Sequence, residues 1–252
     1  MRTCLEVCVE SVAALDIAAA SGADRIELCS ALTVGGLTPS CGLMAVAASQ
    51  ELPCFVLIRP RAGDFCYDSR EIDVMRRDID NARSLRLAGV VIGASRADGS
   101  LDEETLRRLL EHAVGLPAVL HRAIDLVPDF EKALETAISL GFKRVLTSGG
   151  ATSAPAGSQV IRKLLEQAGN RIEVMAGAGL NPANVAQFVR DTGVRAVHSS
   201  CSSSVKNSDG PMVALGFVSP MQRTTDAKVV TAMIESLNHF ETNPAGFQGN
   251  KK

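Results

Sequence analysis

Short apolar runs and amphipathic helical patterns alternate along most of the chain. Eight of the runs have the length and apolar content of buried strands. These predicted strands span residues 5–9, 25–29, 54–58, 89–93, 118–121, 144–147, 172–176 and 196–199. The segments between them have helical spacing, which is clearest in the apolar face formed by Ile72, Met75, Ile79 and Ala82.

Helix boundaries are marked by residues with known positional preferences. Asn181 and Pro182 predict an N-cap followed by a first helical residue, because proline fits the first turn of a helix. Gly22, Gly141 and Gly193 predict helix ends. The order strand, helix, repeated eight times without a linker, predicts a single (β/α)8 TIM barrel. A doubly wound open sheet is the alternative, and it requires a crossover that reverses the strand order.

Composition fits one domain and narrows the function. The chain has 252 residues, a normal length for one barrel, and 46% of them are hydrophobic. A net charge of -2 offers no basic surface, so nucleic acid is not an expected partner. No run of about 18 apolar residues predicts a membrane span, and the start MRTCLEVCVE has no apolar signal region, so we expect a cytoplasmic protein. The seven scattered cysteines are expected to be thiols.

The first two strands carry the same polar pattern. Alternation points Glu6 and Cys8 of the first strand, and Arg25, Glu27 and Cys29 of the second, toward the barrel axis. Neighbouring strands lie about 4.8 Å apart, so two inward thiols at similar height can share a soft ion such as Cu(I). The alternative is that both cysteines are small core residues.

The loop after the third strand is stiff and positively charged. Its arginines, Arg59 and Arg61, flank a proline and are followed by Asp64. Guanidinium groups suit carboxylate or phosphate, which could belong to a ligand or to Glu27 and its neighbours. Both readings remain open from the sequence.

The fifth strand runs into three titratable residues, His121, Arg122 and Asp125, and His198 reaches the same end of the eighth strand. The C-terminal ends of barrel strands form the face on which catalytic groups collect. The glycine-containing loops at 147–150 and 176–181 expose backbone amides there, which suits a phosphate group but also a simple tight turn.

A family resemblance rests on seven segments taken together: LEVCVES, GADRIELCS, GGLTPS, IRPRAGDFCY, VIGASRADG, HRAID and LTSGG. They resemble the CutC family, to which a copper homeostasis role is assigned. The resemblance runs from about Cys4 to Ser200. It implies a (β/α)8 barrel, a cytoplasmic location, a homo-oligomer, and Cu(I) binding through the cysteines that match, Cys8 and Cys29. The chain departs from the family pattern at Ala62, at Cys66 and in the Ala-Gly-Ala-Gly segment at 176–179.

Three functional hypotheses follow. The first is a copper homeostasis protein that binds Cu(I) through Cys8 and Cys29. The second is an enzyme for a small anionic or phosphorylated substrate, with Glu27, His121 and Asp125 as acid and base groups. Its expected ligand-binding residues are Glu6, Arg25, Arg59, Arg61, Asp64, Arg122 and His198. The third is a scaffold in which these charges only neutralise each other.

The region after the eighth strand is predicted to be a long loop, 200–225, followed by a last helix and a flexible tail, 241–252. Within the loop, residues 210–221 are unusually apolar and include Phe217 and Met221. Such a segment must pack on its own barrel or against another subunit, so a homodimer or higher homo-oligomer is expected, with a lid on the same chain as the alternative.

Overall fold

The computed structural model describes residues 2–242 and contains a closed barrel of eight parallel strands in chain order. The strands are β1 (Cys4–Val9), β2 (Arg25–Leu28), β3 (Cys54–Leu57), β4 (Gly89–Ile92), β5 (Ala118–Leu120), β6 (Arg144–Thr147), β7 (Glu173–Gly177) and β8 (Ala196–Ser199). Closure is direct, because β8 pairs with β1 from Cys4 opposite Ala196 to Val7 opposite Ser199. The predicted TIM barrel is confirmed, and the open sheet is excluded.

Helices cover the outside of the barrel. They are α1 (Val12–Ala20), α2 (Cys41–Ala47), α3 (Ser69–Ser84), α4 (Glu103–His112), α5 (Phe130–Leu140), α6 (Ser158–Ala168), α7 (Val185–Thr192), α8 (Pro211–Ala214) and α9 (Ala227–Thr242), with 3-10 helices at Leu32–Val34 and Arg122–Leu126. Gly141 and Gly193 end α5 and α7 in the left-handed conformation, as predicted. The predicted start at Asn181 is three residues early for the N-cap of α7, which is Asn184. Asn181 instead opens a turn in which its side chain accepts a hydrogen bond from the amide of Ala183.

The strands are buried on both faces, and alternation sorts their side chains as predicted. Leu5, Val7 and Val9 pack with helix residues and are fully buried. A second, separate apolar cluster fills the barrel interior; it consists of Cys8, Cys29, Phe55, Leu57, Val91, Val119, Leu146, Met175 and Ala196. The polar side chains of the axis therefore stand above and below a layer of apolar contacts.

An ion network occupies the axis near the N-terminal ends of the strands. Arg25 contacts the carboxylates of Glu6 at 3.2 Å and Glu173 at 3.0 Å. Arg144 pairs with the same Glu173 and stacks over the ring of Phe55 at 4.4 Å. Each buried charge thus has a partner of opposite sign, which offsets the cost of its desolvation.

The segment between β8 and α9, predicted as a long loop, contains an antiparallel hairpin. Its strands are β9 (Ser202–Lys206) and β10 (Met221–Thr225), and α8 lies in the connection between them. We call residues 202–225 the hairpin. Large apolar side chains of this segment are exposed rather than folded onto the barrel: Val205 45%, Met212 58%, Leu215 71%, Phe217 73% and Met221 54%.

The remaining expectations concern the tail, the membrane and the thiols. Residues 241–242 belong to α9, and the rest of the predicted tail lies outside the described residues. Within residues 2–242, no helix has both the length and the apolar composition needed to cross a bilayer. All seven cysteines are free thiols.

Candidate functional site

A cavity of about 410 Å³ lies at the C-terminal ends of the barrel strands. Its polar wall is built from Cys8, Glu27, Arg59, His121, Arg122, His198, Ser200, Ser202 and Arg223. Apolar groups such as Leu57, Phe65 and Leu146 complete it. A concave site with an apolar body and a few converging polar groups is the usual form of a small-ligand pocket.

Cys8, Glu27 and His198 come together from three adjacent strands. β1 lies between β8 and β2, and the register places Cys8 opposite Glu27. One donor atom from each of the three side chains lies within 4.8 Å of the other two. His198 Nε2 is 2.8 Å from Glu27 Oε2, so the imidazole and the carboxylate are hydrogen bonded.

This pair is held in its charged form. Burial alone raises the pKa of Glu27, but the adjacent imidazolium of His198 outweighs it and the pKa is lowered. Burial lowers the pKa of His198, yet the sulfur of Cys8 and the carboxylate of Glu27 raise it well above its usual value. A buried imidazolium–carboxylate pair therefore stands beside the thiol of Cys8.

His121 also lies at the mouth of the barrel, but its ring is neutral whereas that of His198 is protonated. Its Nδ1 accepts a hydrogen bond from the amide of Ala123 at 3.0 Å, which leaves the proton of the neutral ring on Nε2. Burial lowers the pKa of His121 to about 4. Within residues 2–242, its Nε2 has no hydrogen-bond partner although the residue is only 4% exposed. Gly93 makes room for the ring, because a Cβ there would lie 2.3 Å from it.

Arg59 lines the cavity, but its guanidinium is held by backbone carbonyls. Nη1 donates to the carbonyls of Val34 and Gly36, both at 2.9 Å, and Nη2 to that of Gly63 at 2.7 Å. The group also lies 5.0 Å from the ring centre of Phe65. Arg59 therefore fixes the loops around the mouth and is not paired with Glu27.

Arg61 and Asp64, predicted to bind a ligand, lie outside the cavity lining. Arg61 pairs with Asp64 at 3.0 Å and with Glu71 in the first turn of α3. Glu71 also completes a capping box with Asp68. The second arginine thus joins its own loop to the start of α3, because the carboxylates nearest to it are local ones.

Asp125, predicted as an acid or base, is fully engaged away from the cavity. Its carboxylate accepts hydrogen bonds from Thr147 Oγ1 at 2.5 Å, from the amide of Ser148 at 3.0 Å and from the amide of Gly150 at 3.1 Å. Arg122 Nε donates to it at 2.7 Å. Asp125 therefore anchors the glycine loop after β6 and orients Arg122, which does line the cavity.

The predicted thiol pair is divided by the cavity wall. Cys8 lines the cavity, whereas Cys29 does not, and Cys29 Sγ lies 3.9 Å from the carbonyl oxygen of Glu27. Burial, followed by the charges of Glu27 and Cys8, raises the pKa of Cys29 well above its usual value. Glu6 and Arg25, which were predicted to bind a ligand, instead belong to the ion network near the N-terminal ends of the strands and are not part of the cavity lining.

The cavity residues that the sequence did not indicate include Ser200, Cys201, Ser202 and Arg223. Cys201 lies two residues after β8 and has a φ of 44°, so the chain turns sharply at the rim and a periodicity argument fails there. Arg223 sits on a strand whose sequence, MQRTT, has no apolar alternation.

The sequence model of the CutC family matches residues 3–203. The chain belongs to the CutC family. A CutC family protein from Caulobacter vibrioides strain NA1000 is 54% identical over 238 residues, which cover 94% of this chain and 97% of the relative. One from Vibrio campbellii is 50% identical over 203 residues, covering 79% of this chain and 82% of the relative.

Among solved structures, CutC from Streptococcus agalactiae superposes with a TM-score of 0.76 at 34% identity. The match covers 79% of this chain and 99% of that one. A role in copper homeostasis is ascribed to that protein.

Proposed function

We propose that this chain serves copper homeostasis by binding Cu(I) at the barrel mouth, in the cytoplasm and as a homo-oligomer. The observation that carries the proposal is the convergence of Cys8, Glu27 and His198, whose donor atoms lie within 4.8 Å of one another. The copper role ascribed to the CutC of S. agalactiae supports it.

Two of the three donor groups, the thiol and the imidazole, suit a soft cation. Thiolate and imidazole are ligands that Cu(I) accepts, so Cys8 and His198 are its first partners in the proposal. Cys29, which lies behind the cavity wall, would supply the second thiolate. Glu27 is a hard oxygen donor, and its role is to hold the ring of His198 in place, as carboxylates commonly do for metal-binding histidines. Binding would release the proton of His198 and those of the thiols that become ligands, so we expect it to weaken at low pH.

Copper stoichiometry under reducing conditions tests the proposal. Cu(I) is titrated into the protein against a chromogenic Cu(I) chelator, with wild type, Cys8→Ser and Cys29→Ser compared. Both variants are expected to bind less copper. Cys54→Ser is the matched control, since Cys54 is equally buried but lies at the start of β3 and packs among residues that face the helices. Equal copper binding by wild type and a Cys8/Cys29 double variant overturns the proposal.

A second candidate, an enzyme for a small anionic substrate, is favoured by one specific observation. His121 lines the cavity, and its Nε2 is buried and has no partner among the described residues, so its N–H can donate a hydrogen bond to a ligand oxygen. In this candidate His121 polarises the substrate, while Glu27 and His198 exchange a proton with it. Arg122 replaces Arg61 as the anion-binding arginine. Phosphate is expected to raise the melting temperature of wild type and to do so less in Arg122→Gln.

A further inference from the structure

The hairpin brings into the mouth an arginine that lies beyond the family match. The CutC match ends at residue 203, and Arg223 stands in the middle of β10. The S. agalactiae structure covers only 79% of this chain although 99% of its own length is used. The C. vibrioides relative covers 94% of this chain, and a match of that length includes the hairpin. Arg223 therefore lies outside the part of the chain that defines the family, in a segment that aligns with the C. vibrioides relative.

Arg223 is fixed in position by the strand opposite. Its Nε donates to Ser202 Oγ at 3.0 Å, and its Nη2 donates to the carbonyl of Ser202 at 2.8 Å. Ser202 Oγ is in turn 2.8 Å from Ser200 Oγ. Both serines line the cavity with Arg223, so a short hydrogen-bonded chain links the hairpin to the end of β8.

The charges around the cavity favour an anion. Arg59, Arg122 and Arg223 contribute three guanidinium groups to the wall. The charge of Arg122 is matched by Asp125 and that of His198 by Glu27, which leaves the positive charges of Arg59 and Arg223 in excess among the described residues of the wall. The guanidinium of Arg59 already donates hydrogen bonds to backbone carbonyls. Arg122 and Arg223 are each held by groups on one side only, Asp125 and Ser148 for the first and Ser202 for the second. Guanidinium groups oriented in this way bind oxyanions well.

We propose that the hairpin selects the ligand of the mouth: Arg223 and Arg122 bind the oxyanion of a small ligand, and an uncharged oxygen of that ligand accepts a hydrogen bond from His121 Nε2–H. The oxyanion is a phosphate or a carboxylate, which share this chemistry. The inference rests on the second candidate function. It assigns to residues outside the family match the choice of substrate within a barrel that the family shares.

Calorimetric titration of the full chain with inorganic phosphate, and separately with malonate, tests the inference. Arg223→Gln is expected to weaken binding of the preferred anion about tenfold or more, the usual effect of losing a charge-assisted hydrogen bond. The matched control is Lys206→Gln, which removes one positive charge from the same hairpin at a side chain outside the cavity lining. It is expected to bind as wild type does. Tighter binding of phosphate or of malonate identifies the oxyanion.

The outcomes separate the inference from the function on which it rests. If wild type binds neither anion, the anionic-substrate candidate fails and the inference fails with it. If wild type binds and Arg223→Gln binds equally well, the candidate stands and the inference is overturned. If Lys206→Gln loses as much affinity as Arg223→Gln, the effect is one of net charge, which also overturns it. Circular dichroism of each variant verifies that the barrel is folded.

Discussion

His198 and Glu27 form a buried ion pair across the top of β1, with Nε2 and Oε2 2.8 Å apart and the thiol of Cys8 beside them. The two residues stand on β8 and β2, which are the two neighbours of β1. Barrel closure therefore creates the pair, because no two strands adjacent in sequence supply both residues.

Replacing Glu27 with glutamine removes the carboxylate that stabilises the imidazolium, so the pKa of His198 is expected to fall. Histidine-selective NMR at a series of pH values measures it. Glu71→Gln is the control, since Glu71 pairs with Arg61 outside the cavity. A pKa of His198 that does not change in Glu27→Gln contradicts the assigned pairing.

The buried neutral state of His121 predicts a stability that depends on pH. The pKa falls from 6.5 in the unfolded chain to about 4 in the folded one. Between these values the unfolded chain binds the proton and the folded chain does not, so the free energy of unfolding decreases as the pH falls from 6.5 to about 4. The size of the effect is about 3 kcal/mol. Urea unfolding across this range is expected to show a smaller slope for His121→Gln, and an unchanged slope assigns the dependence to other groups.

Gly93→Ala should disturb His121 directly. An added Cβ would lie 2.3 Å from Cε1 and 2.5 Å from Nδ1 of the ring, so the ring must move. We expect a loss of about 1–3 kcal/mol in unfolding free energy, typical of overpacking. Gly42→Ala is the control, because it is in α2 and its Cβ would have no neighbour closer than 3.8 Å. Equal effects of the two substitutions contradict the packing explanation.

Asp125→Asn tests the structural role of this residue. The amide cannot accept all the hydrogen bonds that the carboxylate receives, so we expect a loss of about 2–3 kcal/mol in stability. Hydrogen exchange should show weaker protection of the amides of Ser148 and Gly150, which donate to the carboxylate. Asp98→Asn, in an exposed turn with Ser100, should leave them protected. Undiminished protection of both amides in Asp125→Asn contradicts the anchoring role.

The exposed apolar side chains of the hairpin predict self-association. Phe217 is 73% and Met221 54% exposed, and such a patch is usual for an interface. We expect an oligomer in wild type and a smaller mass in the double variant Phe217→Asp/Met221→Asp, measured by light scattering. The control is Val114→Asp, which removes an exposed valine from the loop after α4. A monomeric wild type, or an oligomer that persists in the double variant, excludes this surface.

The fold could be predicted because the eight barrel strands are buried on both faces and most of the helices around them have one apolar face. Burial imposes these patterns on a sequence directly. The same alternation predicted that Cys8 and Glu27 point inward. It failed for the hairpin, since SSSVK and MQRTT lie on the surface and have no buried face to enforce a pattern.

Partners of the charged residues could not be predicted in the same way. Arg59, Arg61 and Asp125 stand where ligand-binding groups are expected, yet each binds loop backbone or a neighbouring side chain. Which partner an arginine finds depends on loop paths that bring Gly63 or Glu71 within 3 Å or so of its guanidinium. A sequence pattern indicates at which strand end a residue lies, but it does not determine which partner the side chain reaches from the following loop.

The barrel interior is closed at its N-terminal end by the ion network of Arg25, Glu6, Glu173 and Arg144. A ligand that reaches the mouth has no passage along the axis, because paired charges and the apolar layer above them fill it. Uptake and release must therefore both use the mouth, which Ser200, Ser202 and Arg223 help to line. Two consequences follow for kinetics: a bound ligand must leave before the next one enters, and a change in the hairpin is expected to alter association and dissociation rates together.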